Sequence, residues 1–229
     1  YGNVGYVHRG VEKACASRFE YKQVPSVVAR VCGLCAITHS LSYTLAAEQL
    51  VEVDVSRRAQ YLRVLMVELD RLHSHMLCLA HTAENAGYEA LFMKIMADRE
   101  LVMDLQERIS GNRVQFDFVS IGGVNRDIDS ECAQAILSGM DELQPKIEEL
   151  FDLFENNWSL SLKYKGIGAI SKEGAARLNG LGPLARAAGL ETDVRSEHSL
   201  LPYSELGFEM MVEQGGDVFG RNRVRLREL

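Results

Sequence analysis

Apolar residues recur along the middle of the chain at the spacing of a helix. Between residues 57 and 82 they follow one another at intervals of three and four, which predicts a long amphipathic helix with Ser56 as its N-cap. Similar patterns recur on either side, and Gly111 is expected to end one of these helices. The long helices are predicted at residues 26–49, 57–82, 88–110 and 131–158.

The remaining segments are shorter and richer in glycine. Residues 114–121 alternate in a way that predicts a short strand, and Gly122 and Gly123 follow it. Pro145 is expected to kink or split the helix at 131–158. Between residues 164 and 189 the glycines predict loops with short helices. The pattern therefore predicts a mainly α, single-domain protein with a few short peripheral strands.

Composition narrows the function classes. The chain has 229 residues and a net charge of −7, which argues against nucleic-acid binding. No apolar run is long enough to span a bilayer, so any membrane contact is expected to run through partner subunits. The five cysteines do not form the paired framework of a secreted domain. The chain does not begin with Met and ends at Arg-Leu-Arg-Glu-Leu without a turn or helix breaker, so we expect it to be part of a longer protein.

One short stretch, Arg30 to His39, concentrates the chemistry of the chain. It contains Cys32-Gly-Leu-Cys35, and in the predicted helix Cys32, Cys35 and His39 would lie on one stripe and face one space. Two thiolates can chelate a soft metal ion, and Arg30 would lower the thiolate pKa and hold an anion. The spacing alone leaves three alternatives: a metal site, a redox pair, or a chance pair.

Two other polar groups are candidates for moving protons or binding anions. The first is His8, Arg9 and Glu12, for which the alternative is a surface turn with an Arg–Glu pair. The second is Glu68, Arg71 and His75, which share a helical stripe and form either a proton relay or a structural salt bridge. We expect His73 and His81 to be ordinary, partly exposed histidines.

These motifs resemble a known family. His-Arg-Gly-Val-Glu-Lys at residues 8–13, followed by Arg-Val-Cys-Gly-Leu-Cys-Ala-Ile-Thr-His at 30–39, is similar to the large subunit of group 4 membrane-bound [NiFe] hydrogenases. The whole chain also resembles the 49 kDa quinone-site subunit of respiratory complex I. That relative lacks the metal-binding cysteines, so Cys32 and Cys35 favour the hydrogenase branch.

The resemblance implies a role for each matching residue. Cys32 would be a terminal nickel ligand, Cys35 would bridge nickel to an iron that carries CO and cyanide, and His39 would be a donor near the bridging sulfur. It also implies electrons from a small Fe–S subunit, contact with membrane-arm subunits through partners, and a peripheral position on the cytoplasmic side of the membrane. Arg30, Arg9 and His8 would line the cofactor site, while Glu68, His75 and Glu12 would be the catalytic proton carriers.

One departure from the family limits this expectation. The second Cys-x-x-Cys, which would supply the other two nickel thiolates, does not occur in these 229 residues. We therefore expect this segment alone not to hold the cluster. The alternatives are a complex I-like subunit in quinone- or ferredoxin-linked electron transfer without H2 chemistry, and a small zinc-binding or scaffold domain.

Overall fold

A computed structural model of the protein describes residues 9–197 and 201–229. They form two compact units, the first made of the described residues up to Asp70 with Gln106–Asp127, and the second of Arg71–Leu105 with the described part of Ile128–Leu229. The single domain therefore stays a prediction. The helices are α1 Val11–Arg18, α2 Val24–Val28, α3 Ala36–Val51, α4 Arg57–Asn85, α5 Glu89–Ser110, α6 Ser130–Glu155, α7 Trp158–Tyr164, α8 Lys172–Arg177, α9 Gly182–Ala187, α10 Val194–Glu197 and α11 Val218–Glu228.

The mainly α prediction is confirmed, and so are the predicted N-cap of α4 and the predicted glycine at the end of α5. Ser56 Oγ accepts a hydrogen bond from Ala59 N–H at 3.3 Å ahead of α4, and the Asp129 carboxylate caps α6. Gly111, with φ of 82°, follows the last residue of α5 in the left-handed region that favours glycine. Each cap satisfies a backbone group that the helix itself leaves without a partner.

Two local expectations are corrected. The strand predicted over 114–121 is only two residues long: β1 (Val119–Ser120) pairs antiparallel with β2 (Gly123–Val124). Pro145 does not split the fourth long helix, because α6 is assigned without interruption from Ser130 to Glu155. The proline is exposed, and its missing N–H removes only one helical hydrogen bond.

The first unit contains a buried ion pair beside its hairpin. Arg63 on α4 forms two hydrogen bonds, of 3.0 and 2.6 Å, with the Glu48 carboxylate on α3. It also donates to the carbonyls of Ser120 and Gly123, while Glu48 accepts from Gly122 N–H. Arg63 is 1% exposed, so its charge depends on these partners for compensation. The pair fixes the hairpin against both helices.

Arg63→Ala is expected to lower the free energy of unfolding by about 3 kcal/mol, because Glu48 would remain buried without its partner. Arg58→Ala is a matched control on the same helix, since its ion pair with Asp127 is solvent-exposed. The control should lose less than ~1 kcal/mol. Urea denaturation of both variants measures the difference, and equal losses would show that the buried pair contributes no more than a surface pair.

The second unit is built on the later part of α4, most of α5, and α6 to α11. Helices α5 and α6 approach closely at Gly139, where a side chain would come within 2.9 Å of Leu105 Cδ1. Lys94 on α5 bridges Asp98 and Glu149, each at 2.9 Å. Helix α11 packs against α6, α7 and α9. In the part of the chain that the structure describes, no helix has the length and hydrophobicity needed to cross a bilayer.

Candidate metal centre

The cysteine motif lies in a loop rather than within a helix. The helix predicted at residues 26–49 is interrupted: α2 ends at Val28, a 3-10 turn covers Ala29–Val31, and α3 begins at Ala36. Cys32 has extended backbone angles, with φ of −143° and ψ of 133°. The predicted helical stripe through Cys32, Cys35 and His39 is therefore wrong. β-Branched residues and Gly33 lower the helix propensity of this stretch, which is consistent with the break.

The loop nevertheless brings the three side chains together. Cys35 is the N-cap of α3, and His39 lies one turn further on, with its N–H bonded to the Cys35 carbonyl at 3.2 Å. The sulfurs of Cys32 and Cys35 and a ring nitrogen of His39 all lie within 4.8 Å of one another. Two thiols and one imidazole at this separation suit a soft or borderline metal ion. Their role as ligands or neighbours of a metal stays a prediction.

The two thiols differ electrostatically. Burial raises the pKa of Cys32, but hydrogen bonds from the Cys35 thiol and the backbone N–H of Leu34 outweigh it, so the pKa is lowered overall. Burial raises the pKa of Cys35 to about 12, helped by its hydrogen bond to Cys32. The Leu34 N–H lies 3.4 Å from the Cys32 sulfur. The loop is thus arranged to stabilise one thiolate even without metal, since N–H donors favour the charged form.

The remaining residues predicted around the cofactor are only partly near this loop. Arg9 donates to the Val31 carbonyl at 2.8 Å, which places it beside the cysteines. Arg30 is exposed and donates to the Ser26 carbonyl. Glu12 is exposed on α1, and His8 lies outside the described residues. The roles proposed for these four residues stay predictions.

His75, one of the predicted proton carriers, pairs with a carboxylate other than the predicted Glu68. His75 Nε2 lies 2.8 Å from Glu228 Oε2 on α11. Glu228 Oε1 also accepts from Arg186 and Arg195, at 2.7 and 2.6 Å. Asp193 completes this buried network by pairing with both arginines. His75 therefore belongs to a buried ion network in the second unit, while Glu68 is half-buried on the part of α4 in the first. The catalytic roles predicted for His75 and Glu68 stay predictions.

Charges in this network shift one another's pKa values. Burial raises the pKa of Glu228, but the hydrogen bond from His75 and the charges of Arg186 and Arg195 outweigh it and lower it to about 2. Burial lowers the pKa of His75 and exceeds the opposing effect of Glu228. The sequence did not reveal this network. One signal in the sequence was available: Arg186 stands between alanines, and a charged residue in an apolar stretch needs a partner if that stretch is buried.

His73 corrects another expectation. It was predicted to be partly exposed, but it is fully buried. It lies on the apolar face of α4, four residues after Leu69 and three before Met76. Arg99 donates to its carbonyl at 3.1 Å and to its Nδ1 at 2.6 Å. His81 is exposed, as predicted, and pairs with Glu84.

Two known protein families match parts of this chain. The family described as the 49 kDa subunit of respiratory-chain NADH dehydrogenase matches residues 85–229. The chain belongs to this family. The family described as nickel-dependent hydrogenase matches residues 9–111, which include the cysteine loop. The predicted resemblance to group 4 hydrogenase large subunits and the complex I 49 kDa subunit is thereby confirmed.

Two relatives are named as a hydrogenase and as a subunit of a hydrogenlyase. The carbon monoxide-induced hydrogenase of Rhodospirillum rubrum is 36% identical over 98% of this chain and 62% of its own length. Formate hydrogenlyase subunit 5 of Escherichia coli is 34% identical over 98% of this chain and 39% of its own length. The chain therefore spans less than two thirds of the length of these relatives. Because its relatives are hydrogenases and quinone oxidoreductase subunits, the chain belongs to a family of oxidoreductases.

A solved structure supports the same fold. A chain of the membrane-bound sulfane sulfur reductase, an archaeal respiratory membrane complex, superposes with a TM-score of 0.93. It is 29% identical and is matched over 99% of this chain and 61% of its own length. The helical fold of this 49 kDa-subunit family thus occurs in a multi-subunit membrane complex, which supports the expectation of partner subunits.

Proposed function

We propose that this chain is the core of the catalytic large subunit of a membrane-associated [NiFe] hydrogenase, which reversibly reduces protons to H2. The convergence of Cys32, Cys35 and His39 within 4.8 Å, inside the segment that matches nickel-dependent hydrogenases, is the observation that supports it. When bound, the Ni–Fe centre with its CO and cyanide ligands would supply the redox chemistry and the site where H2 forms.

The residues of this chain fit half of such a centre. Cys32 would hold nickel as a thiolate, aided by the Leu34 N–H that already points at its sulfur. Cys35 would also hold the centre as a thiolate, and His39 would orient the Cys35 sulfur. Electrons would come from a small Fe–S partner subunit, and membrane-arm subunits would hold the protein peripherally on the cytoplasmic side. The remaining two thiolates would come from outside this segment.

The experiment is a H2-dependent dye-reduction assay on the complete purified complex, combined with nickel and zinc quantification. The proposal predicts dye reduction under H2 and about one nickel per large subunit. Zinc with no H2-dependent reduction would instead indicate a zinc-binding domain. The measurement must use the complete complex, because the 229-residue segment supplies only two cysteines at this site.

A second candidate is a complex I-like subunit in quinone- or ferredoxin-linked electron transfer. The match of residues 85–229 to the 49 kDa subunit of NADH dehydrogenase favours it. This candidate predicts reduction of a quinone or oxidation of ferredoxin by the complex, with no nickel and no H2 turnover. The same purified complex, assayed with H2, quinone and ferredoxin in parallel, separates the two functions.

Glu68→Gln is expected to slow turnover by about 100-fold, the usual contribution of a positioned acid–base group, while nickel content stays unchanged. The half-buried carboxylate of Glu68 would carry protons between the metal site and solvent. Glu142→Gln, at an exposed position on α6, is the control and should turn over normally. Wild-type turnover in the Glu68 variant would remove Glu68 from the proton path.

A further inference from the structure

A groove in the second unit lies beside the C-terminal half of α6. Its volume is about 510 Å³, and its lining residues are Pro145, Glu148, Glu149, Asp152, Leu153, Asn156 and Asn157. We call it the α6–α7 groove, because Asn157 is also the N-cap of α7. Helix α6 is exposed along this side, so the groove is open to another molecule.

An exposed apolar face continues from the groove. Trp158, the only tryptophan of the chain, follows Asn157 and is 76% exposed. Leu162 lies one helical turn further and is 66% exposed, while Leu160 between them is buried. Large apolar side chains arranged on one face, with the opposite face in the core, are typical of an interaction surface rather than of isolated surface residues.

The start of α7 is held in place, so this face has a defined position. Asn157 Oδ1 accepts a hydrogen bond from Leu160 N–H at 3.0 Å and from the Tyr88 hydroxyl at 3.3 Å. Lys163 at the end of the same helix donates to the Ala86 carbonyl. The Trp158 ring therefore projects from a rigid element, which lowers the entropy lost on binding.

The charge around the groove selects the occupant. Glu148, Glu149 and Asp152 supply three carboxylates along its wall. Glu149 pairs with Lys94 at 2.9 Å but keeps 58% of its side chain exposed. Glu148 accepts a hydrogen bond from the neutral Gln144 amide at 3.0 Å and pairs with no cation among the described residues. Asp152 is exposed. This wall attracts a cationic partner and repels an anionic one.

We propose that the α6–α7 groove docks a basic amphipathic segment of another subunit. Its lysine side chains would face Glu148, Glu149 and Asp152, and its apolar side chains would pack on Trp158 and Leu162. A second copy of this chain fits poorly, because a symmetric contact would bring the same carboxylates together. An anionic lipid surface would also be repelled. The proposal does not depend on the hydrogenase activity proposed above.

The test is zero-length carbodiimide cross-linking of the purified complex, followed by peptide mass spectrometry. We expect Glu148 or Asp152 to be joined to lysines of a different subunit, in a segment where basic and apolar residues alternate at helical or strand spacing. Cross-links to a second copy of this chain, to a segment without apolar residues, or to no other subunit would overturn the proposal.

Variants give an independent measurement of the same contact. Trp158→Ala, and separately Glu148→Gln combined with Asp152→Asn, should each weaken retention of that subunit, the tryptophan change by about 30-fold in Kd, as for an interface hot spot. Leu181→Ala and Asp141→Asn are matched controls at exposed apolar and acidic positions, and they should have no effect. Equal melting temperatures would show that all variants fold. Unchanged retention in folded groove variants would overturn the proposal.

Discussion

Cys35→Ser is expected to abolish H2-dependent dye reduction in the complete complex. It should also lower the affinity for nickel by more than about 100-fold, so that the purified complex contains less nickel. Loss of an outer-shell partner already costs a metal site about 10–100-fold in affinity, and under the proposed function Cys35 would be a ligand itself. Serine keeps the size of the side chain but provides a hard oxygen that soft ions bind weakly. Metal quantification and the dye assay, on the same preparation, measure both effects.

The control is Cys132→Ser. Cys132 lies in the first turn of α6, in the second unit. That variant should keep wild-type nickel content and turnover. If the Cys35 variant retained nickel and activity, Cys35 could not be a metal ligand, and the cysteine loop would have another role.

Glu228→Gln is expected to lower the free energy of unfolding by about 4–5 kcal/mol, near the upper end for breaking a buried ion pair. The carboxylate is 3% exposed and bonds His75, Arg186 and Arg195. Glutamine keeps the shape of the side chain but removes the negative charge that two buried guanidinium groups face, so that Arg186 and Arg195 would share the Asp193 carboxylate. Glu142→Gln on the exposed face of α6 is the control and should stay within ~0.5 kcal/mol of the wild type.

The same carboxylate should make stability depend on acid pH. Its pKa in the folded protein, about 2, lies below its ordinary value of 4.5. Its contribution is therefore complete above pH 4.5 and is lost as the pH falls toward 2. Urea unfolding across this range should show a smaller loss in Glu228→Gln than in the wild type. Parallel pH profiles would contradict the lowered pKa.

Local sequence signals predicted most of the helical framework. The stripe on α4 predicted a helix over residues 57–82, and the structure has Arg57–Asn85. Caps such as Ser56, Asp129 and Asp217 act within a few residues, so their effect can be read directly from the chain. The mainly α class follows from these patterns alone.

The cysteine loop shows where periodicity fails. The spacing of Cys32, Cys35 and His39 predicted their convergence, but through a continuous helix that the structure does not contain. A loop followed by a helix N-terminus brings the same atoms together. The choice between the two depends on the low helix propensity of Gly33 and on packing, which a spacing rule does not include.

Contacts distant in the sequence could not be predicted at all. His75 and Glu228 are separated by 153 residues, and the sequence suggested Glu68 as the carboxylate near His75. Likewise, the burial of His73 depends on Arg99 from another helix. Pairing of buried charges is required by desolvation, but the identity of each partner is set by the tertiary fold.

X-ray absorption spectroscopy at the nickel edge of the complete complex tests the proposed metal centre most directly. The wild type should show nickel coordinated by sulfur, and Cys32→Ser should lower the number of sulfur ligands or remove nickel altogether, whereas Cys132→Ser should leave the spectrum unchanged. A complex without nickel, or a nickel–sulfur signal that Cys32→Ser does not alter, would contradict the assignment of this loop as part of a nickel–iron site.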